Sequence, residues 1–249
     1  NPYFTLYENR NAFGKDRALG NITARYDLTD AFSIQVRSGM DLQDESRNFR
    51  RAFSTNRFKN GAYAEQKVFF REINTDLLLN YQKHYKDFGF DLSLGGNQMD
   101  QKASIDQLQT TILAQPGVFS LTNAAAPLEY YTRVANKKIN SIYSLMKLSY
   151  KDFLFLDITG RNDWSSALAT STSVANTSFF YPSASLAMVL NSVTDLPDYI
   201  SFAKVRASFA KVGNDTDPFQ TNSAFVARTT VNGQPTFSQQ NNIPNANLQ

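Results

Sequence analysis

Apolar and polar residues alternate with a period of two over most of this chain, in paired runs joined by short turns. Ile22, Ala24, Tyr26 and Leu28 share one face of a first run, with Asn21, Thr23, Arg25 and Asp27 on the other. After a turn at Thr29-Asp30, Phe32, Ile34, Val36 and Met40 alternate with Ser33, Gln35, Arg37 and Asp41. This period is that of a half-buried β-strand, and two such runs across a short turn predict a hairpin. A second hairpin has Ile73, Thr75, Leu77, Leu79 and Tyr81 leading to Phe88, Phe90, Leu92 and Leu94. The third pairs Asn140 to Tyr150 with Phe153 to Thr159 across Lys151-Asp152, and the fourth pairs Phe180 to Leu190 with Ser201 to Val212. One more strand is expected around Ser223 to Thr230. Residues 1 to 16 read as irregular, and 43–64, 98–138 and 160–178 as long loops. Within the second loop, Ala103 to Ala114 reads as a short helix stopped by Pro116-Gly117.

Connections therefore alternate between short and long, and charge obeys a second rule. The apolar face of the four hairpins holds no Lys, Arg, Asp or Glu. The opposite face holds Arg25, Asp27, Arg37, Asp41, Asp76, Asp91, Lys147, Asp157, Lys204 and Arg206. A soluble sandwich alternates in the same way. Runs of about ten residues, however, are long for a globular strand and suit a strand that crosses a bilayer. With 42% hydrophobic residues the chain has no apolar run of the ~20 residues that a spanning helix needs. Any crossing must use strands. The 20 Phe and 12 Tyr suit β-structure and the aromatic girdles of membrane barrels. Tyr26, Tyr81, Phe88, Tyr150 and Phe153 cluster near the short turns. The reading is an all-β chain forming an antiparallel transmembrane β-barrel wall of about eight strands.

Candidate chemistry is sparse. The absence of cysteine excludes disulfides, thiolate metal sites and a Cys nucleophile, and the single His84 excludes a multi-His metal centre. A net charge of +3, spread along the chain, gives no nucleic-acid footprint. Arg47, Arg50, Arg51, Arg57 and Lys59 read as a solvated or lipopolysaccharide-facing loop. Gly160-Arg161-Asn162-Asp163-Trp164 ends the third hairpin in a polar corner. Arg161, Asn162, Asp163 and Trp164 are substrate-binding candidates there, since they can hydrogen-bond and stack on a sugar or peptide. The competing reading is a structural corner with Arg161 and Asp163 paired. Asn214, Asp215 and Asp217 offer oxygen ligands at a spacing a hard cation accepts, but lack the Gly and terminal Glu of an EF-hand loop. A turn leaving the strand explains them too. No catalytic assembly is present, so the chain is not read as an enzyme.

Three stretches, LFLDITGRNDWSS (154–166), FFYPSASLAMVL (179–190) and ISFAKVRASFAKVGNDTDPF (200–219), closely resemble the barrel of SusC/RagA-type TonB-dependent outer-membrane transporters. NPYFTLYENRNAFGKDRALGNITARYDLTD (1–30) and IPNANLQ (243–249) are similar to the same barrel, in the same order. The resemblance implies that residues 1–249 are an internal piece of a plugged barrel of about 22 strands. It also implies import of large nutrients, glycan or oligopeptide, across a Gram-negative outer membrane. Energy would come through TonB, contacted by parts outside this chain, and a SusD-like lipoprotein would form a lid. No cofactor is implied. A non-transporting structural or adhesive barrel is the alternative. Eight strands of a larger barrel predict an open arc with two free edges.

Overall fold

A computed structural model describes residues 2–169, 177–194, 196, 197, 199–213, 215–221 and 225–239. The chain starts with a short helix, α1 (Pro2–Glu8), and continues as β1 (Asn11–Asp27), β2 (Phe32–Thr55), β3 (Phe58–Tyr85) and β4 (Phe88–Thr110). Next come β5 (Glu129–Tyr150), β6 (Leu154–Ser165), β7 (Ser178–Val189) and β8 (Lys204–Ala210). These eight form one sheet in sequence order, so every strand lies beside its neighbours in the chain and β1 and β8 are the edges. All residues of β8 are exposed, as befits a strand with one free flank. A separate hairpin, β9 (Phe225–Val231) and β10 (Gln234–Gln239), follows.

The short turns have local causes. Lys151 (φ 47°) and Asp152 (φ 55°) both adopt the left-handed conformation of a two-residue type I′ turn, whose twist matches that of the flanking strands. The Phe153 N–H donates to the Tyr150 carbonyl at 3.2 Å and closes it. At the first hairpin the Thr29 hydroxyl accepts the Phe32 N–H at 3.0 Å, a side-chain turn that replaces a backbone partner. Asn232 (φ 49°) and Gly233 (φ 75°) make the same kind of turn between β9 and β10.

Several expectations need correction. Residues 43–64 are not a loop: β2 runs on to Thr55 and β3 starts at Phe58. The expected helix from Ala103 is strand, since β4 continues to Thr110, and β5 begins at Glu129. Residues 111–128 are the connection that remains. Residues 160–165 are strand as well, and 170–176 of that expected loop lie outside the described residues. Pro2–Glu8 form α1 and β1 starts at Asn11, and where one strand was expected over 223–230 the described residues 225–239 form a hairpin. The common physical reason is that strand pairing here outlasts the apolar alternation. A strand that carries polar residues on both faces keeps its ladder but loses the period-two hydrophobic signal.

Contacts divide the chain into two units: residues 1–21, 39–73 and 100–136, and residues 22–38, 74–99 and 137–249. In the first unit a small core gathers Ala52, Ala62, Tyr63, Ala64 and Leu113. The connection after β4 folds onto the β2–β3 hairpin through Leu113, whose N–H donates to the Asn60 carbonyl at 2.9 Å. Gly61 (φ 68°) sits beneath it, where a Cβ would lie 2.9 Å from Leu113 Cδ1. In the same unit Asp106 accepts from Thr132 Oγ1 at 2.8 Å and Tyr130 OH at 2.9 Å. Those bonds hold its carboxyl below the usual range, with Thr132 the larger cause.

Candidate functional site

The second unit owes its chemistry to strand register. Ile158 lies between Met146 on β5 and Ala184 on β7, and Leu156 between Leu148 and Leu186. Leu154 lies between Tyr150 and Met188. On β8, Phe209, Ala207 and Val205 extend these rows. One face is therefore apolar in these three rows, and large side chains on it stand uncovered: Ile142 is 63% exposed, Phe180 57% and Phe209 67%. The intervening rows carry the charge, with Lys147 opposite Asp157 and Ala187 opposite Arg206.

On that polar face a hydrogen-bonded network crosses the sheet. Asp76 on β3 accepts from Arg37 Nη2 (β2) at 3.2 Å, Asn97 Nδ2 (β4) at 3.1 Å and Tyr143 OH (β5) at 3.4 Å. The Arg161 guanidinium lies 5.7 Å from the centre of the Tyr143 ring. It donates to Asp163 Oδ1 at 2.7 Å and Ser141 Oγ at 2.9 Å. Tyr143 can lie flat because the strand beside it is bare: a Cβ on Gly95 would fall 2.2 Å from Tyr143 Cζ. Beyond Asp163, Ser165 Oγ and Lys137 Nζ both donate to Asp215, and Lys137 also reaches the Thr216 carbonyl at 3.2 Å. The side chains of Lys137 and Asp215 are 14% and 9% exposed. Arg37, Lys137 and Arg161 thus face Asp76, Asp163 and Asp215, a balanced set of ion pairs. Balanced charge on a wetted sheet face suits a lining, because each carboxylate already has its cation.

The four substrate-binding candidates are split by the strand period. Arg161 and Asp163 lie on the polar face. Asn162 and Trp164 lie on the other, where Asn162 Nδ2 donates to Ser178 Oγ at 3.0 Å and Trp164 stands between Asn140 and Ser178. The polar corner does not exist, because β6 runs straight through it to Ser165. Of the metal candidates, Asn214 lies outside the described residues and Asp217 is exposed. Asp215 spends both oxygens on Lys137 and Ser165, and among the described residues no group of three His, Asp or Glu side chains is placed to hold a metal. Lys137, Ser141, Tyr143, Ser165 and Asp76 escaped the sequence reading as a set, though their parity along the strands would have put them on one face.

The apolar face also has an upper boundary. Ser38 Oγ and Thr75 Oγ1 are 3.0 Å apart, and Gln98 Nε2 donates to Asn140 Oδ1 at 3.2 Å. Asn140 then neighbours Trp164, and Trp164 neighbours Ser178. From Leu154 to Trp164 is about ten steps of ~3.3 Å, or about 23 Å of height at a strand tilt of ~45°. That is close to the ~25 Å apolar band of outer-membrane barrels.

This sheet matches solved structures. One titled the RagAB peptide transporter superposes with a TM-score of 0.84 at 14% identity, over 99% of this chain and 28% of that one. The fold is that of a stretch of this transporter. The RagAB peptide importer in a closed-closed state gives 0.83 over the same shares, and in an open-open state 0.73 over 96% and 26%, both at 14% identity. The chain thus spans a little over a quarter of the length of the transporters it matches. No family model matches the sequence, and no curated protein does. No helix among the described residues is long and apolar enough to cross a membrane.

Proposed function

We propose that this chain is part of the wall of an outer-membrane importer for large nutrients, driven through TonB and closed from outside by a SusD-like lipoprotein lid. The observation that carries the proposal is the separation of faces in β5 to β8. Every Lys, Arg and Asp in the registered rows from Asn140 to Ala210 lies on one side, and the other side is uncharged, with large apolar side chains left exposed on it. Such a face is unstable in water and stable against lipid. The opposite face, with its balanced network, lines an aqueous or protein-filled interior. Cargo is oligopeptide or glycan, and the likeness to peptide importers supports the transport reading as a whole. The chain positions and seals and performs no bond chemistry. The 160–165 segment is structural in this reading: Arg161 and Asp163 tie the lining together, and Trp164 sits at the outer lipid–water boundary.

The test is uptake of a labelled oligopeptide mixture by cells with and without the gene, in the presence and absence of a protonophore. Gene-dependent uptake that stops when the proton gradient collapses is the expected result. Gene-dependent uptake indifferent to the gradient contradicts energised import, and recovery of the protein outside the outer-membrane fraction contradicts the wall.

A further inference from the structure

We infer that the polar face of the first unit carries a binding row for an extended oligopeptide with a free amino terminus. The row is built from side-chain amides. Arg47 Nη1 on β2 donates to Gln66 Oε1 on β3 at 3.2 Å, and Gln66 Nε2 donates to Gln107 Oε1 on β4 at 2.8 Å. Gln107 Nε2 donates to Gln109 Oε1 at 2.7 Å, and Gln109 Nε2 donates to Glu129 Oε2 on β5 at 2.6 Å. Every link points the same way, and the two ends explain why. A guanidinium only donates and an ionised carboxylate only accepts, so Gln66 must offer its oxygen to Arg47 and each amide after it is oriented in turn. Glu45 holds the Arg47 end with bonds of 2.7 and 3.0 Å, and Arg47 in return keeps the Glu45 carboxyl below its usual range.

An amide fixed in this way keeps one N–H and one lone pair for a ligand. Gln66, Gln107 and Gln109 are half-buried, so those groups remain in reach of the space above the sheet. The row crosses four strands, about 14 Å at ~4.8 Å per strand, with a step of about 7 Å along β4 between Gln107 and Gln109. That is the reach of about five residues of extended peptide, whose C=O and N–H groups alternate as the amides require. Pre-oriented partners spare the ligand the cost of ordering them. Glu129 is exposed and has a second carboxylate oxygen, which suits an ammonium group. A neutral glycan has no such group, and that favours peptide. The inference rests on the import reading above for its source of ligand, but its chemistry is separate.

The experiment is calorimetric titration of the full-length purified protein with an uncharged heptapeptide of Ala, Gly and Ser. Parallel titrations use its N-acetylated form, its backbone N-methylated form and maltoheptaose. The unaltered protein should bind the free-amino heptapeptide at least tenfold more tightly than the acetylated or methylated forms. Gln66→Leu with Gln107→Leu should weaken that binding at least tenfold. Glu129→Gln, which keeps the hydrogen bond from Gln109 and guards against a folding defect, should erase the preference over the acetylated peptide. Unchanged affinity in the leucine variant, equal binding of the methylated peptide, or maltoheptaose as the ligand lost with the glutamines would each overturn the inference. Heptapeptide binding that depends on these residues supports the row whether or not cells import the peptide. Import that survives the leucine changes at full affinity overturns the row and leaves the import reading standing.

Discussion

Ile158→Lys is expected to prevent stable assembly into the outer membrane, whereas Thr159→Lys one residue along should assemble nearly as well as the unaltered protein. The two positions are adjacent in sequence and opposite in environment. Ile158 lies in a row with Met146 and Ala184, on the face that is apolar from β5 to β8. A lysine there, near mid-band, would meet hydrocarbon at a cost of about 2–4 kcal/mol, or roughly thirty- to a thousandfold in the folding equilibrium. Thr159 lies in the next row on the polar face, its hydroxyl hydrogen-bonded to Ser183. Lysine would forfeit that bond, about 1 kcal/mol, while its ammonium stays among polar groups. Heat-modifiable migration of the membrane-extracted protein reads the difference. Equal effects at both positions would count against the assignment of faces.

Lys137→Met should be the most damaging single change in the polar network. Lys137 and Asp215 are far apart in the chain and largely shielded from water, and Ser165 is the other side-chain partner of that carboxylate. Removing the ammonium leaves a buried charge poorly compensated, which costs about 3–5 kcal/mol when a pair is that enclosed. Arg161→Met should cost less, because Arg161 is 42% exposed and solvent takes over part of its role. The decisive comparison is a double-mutant cycle in thermal unfolding. Adding Asp215→Asn to Lys137→Met should recover much of the loss, since neither charge is then left alone. Additive losses would show that the two side chains do not depend on each other.

Much of this arrangement was legible in the residues, and what was not has physical causes. The hairpins at Thr29, Lys151 and the one after Tyr85 follow from period-two runs around polar turns. The same period assigns Arg37, Asp76, Lys147 and Asp157 to one face before any partner is known. Where both faces carry polar residues the signal vanishes, and so β2 beyond Asp41 and β4 beyond Gln98 read as loops. Gly160 and the polar residues after it imitate a corner, yet they continue β6. Applying the period to them would have separated Arg161 and Asp163 from Asn162 and Trp164. Asn232-Gly233 is a strong hairpin signal that lies just beyond the one strand expected over 223–230. The Lys137–Asp215 pair and the glutamine row were beyond reach. Each joins residues distant in the chain, and only strand register says which of them meet.

The separation of faces along β6 can be measured directly, because the chain contains no cysteine to interfere. Single cysteines at 154 to 159 in the full-length protein, each carrying a nitroxide and placed in a lipid bilayer, would be compared for collision with dissolved oxygen, which concentrates in hydrocarbon. High collision rates at 154, 156 and 158 and low rates at 155, 157 and 159 are the expected result. A smooth profile across the six positions, or the opposite alternation, would contradict a wall that turns this apolar face to lipid.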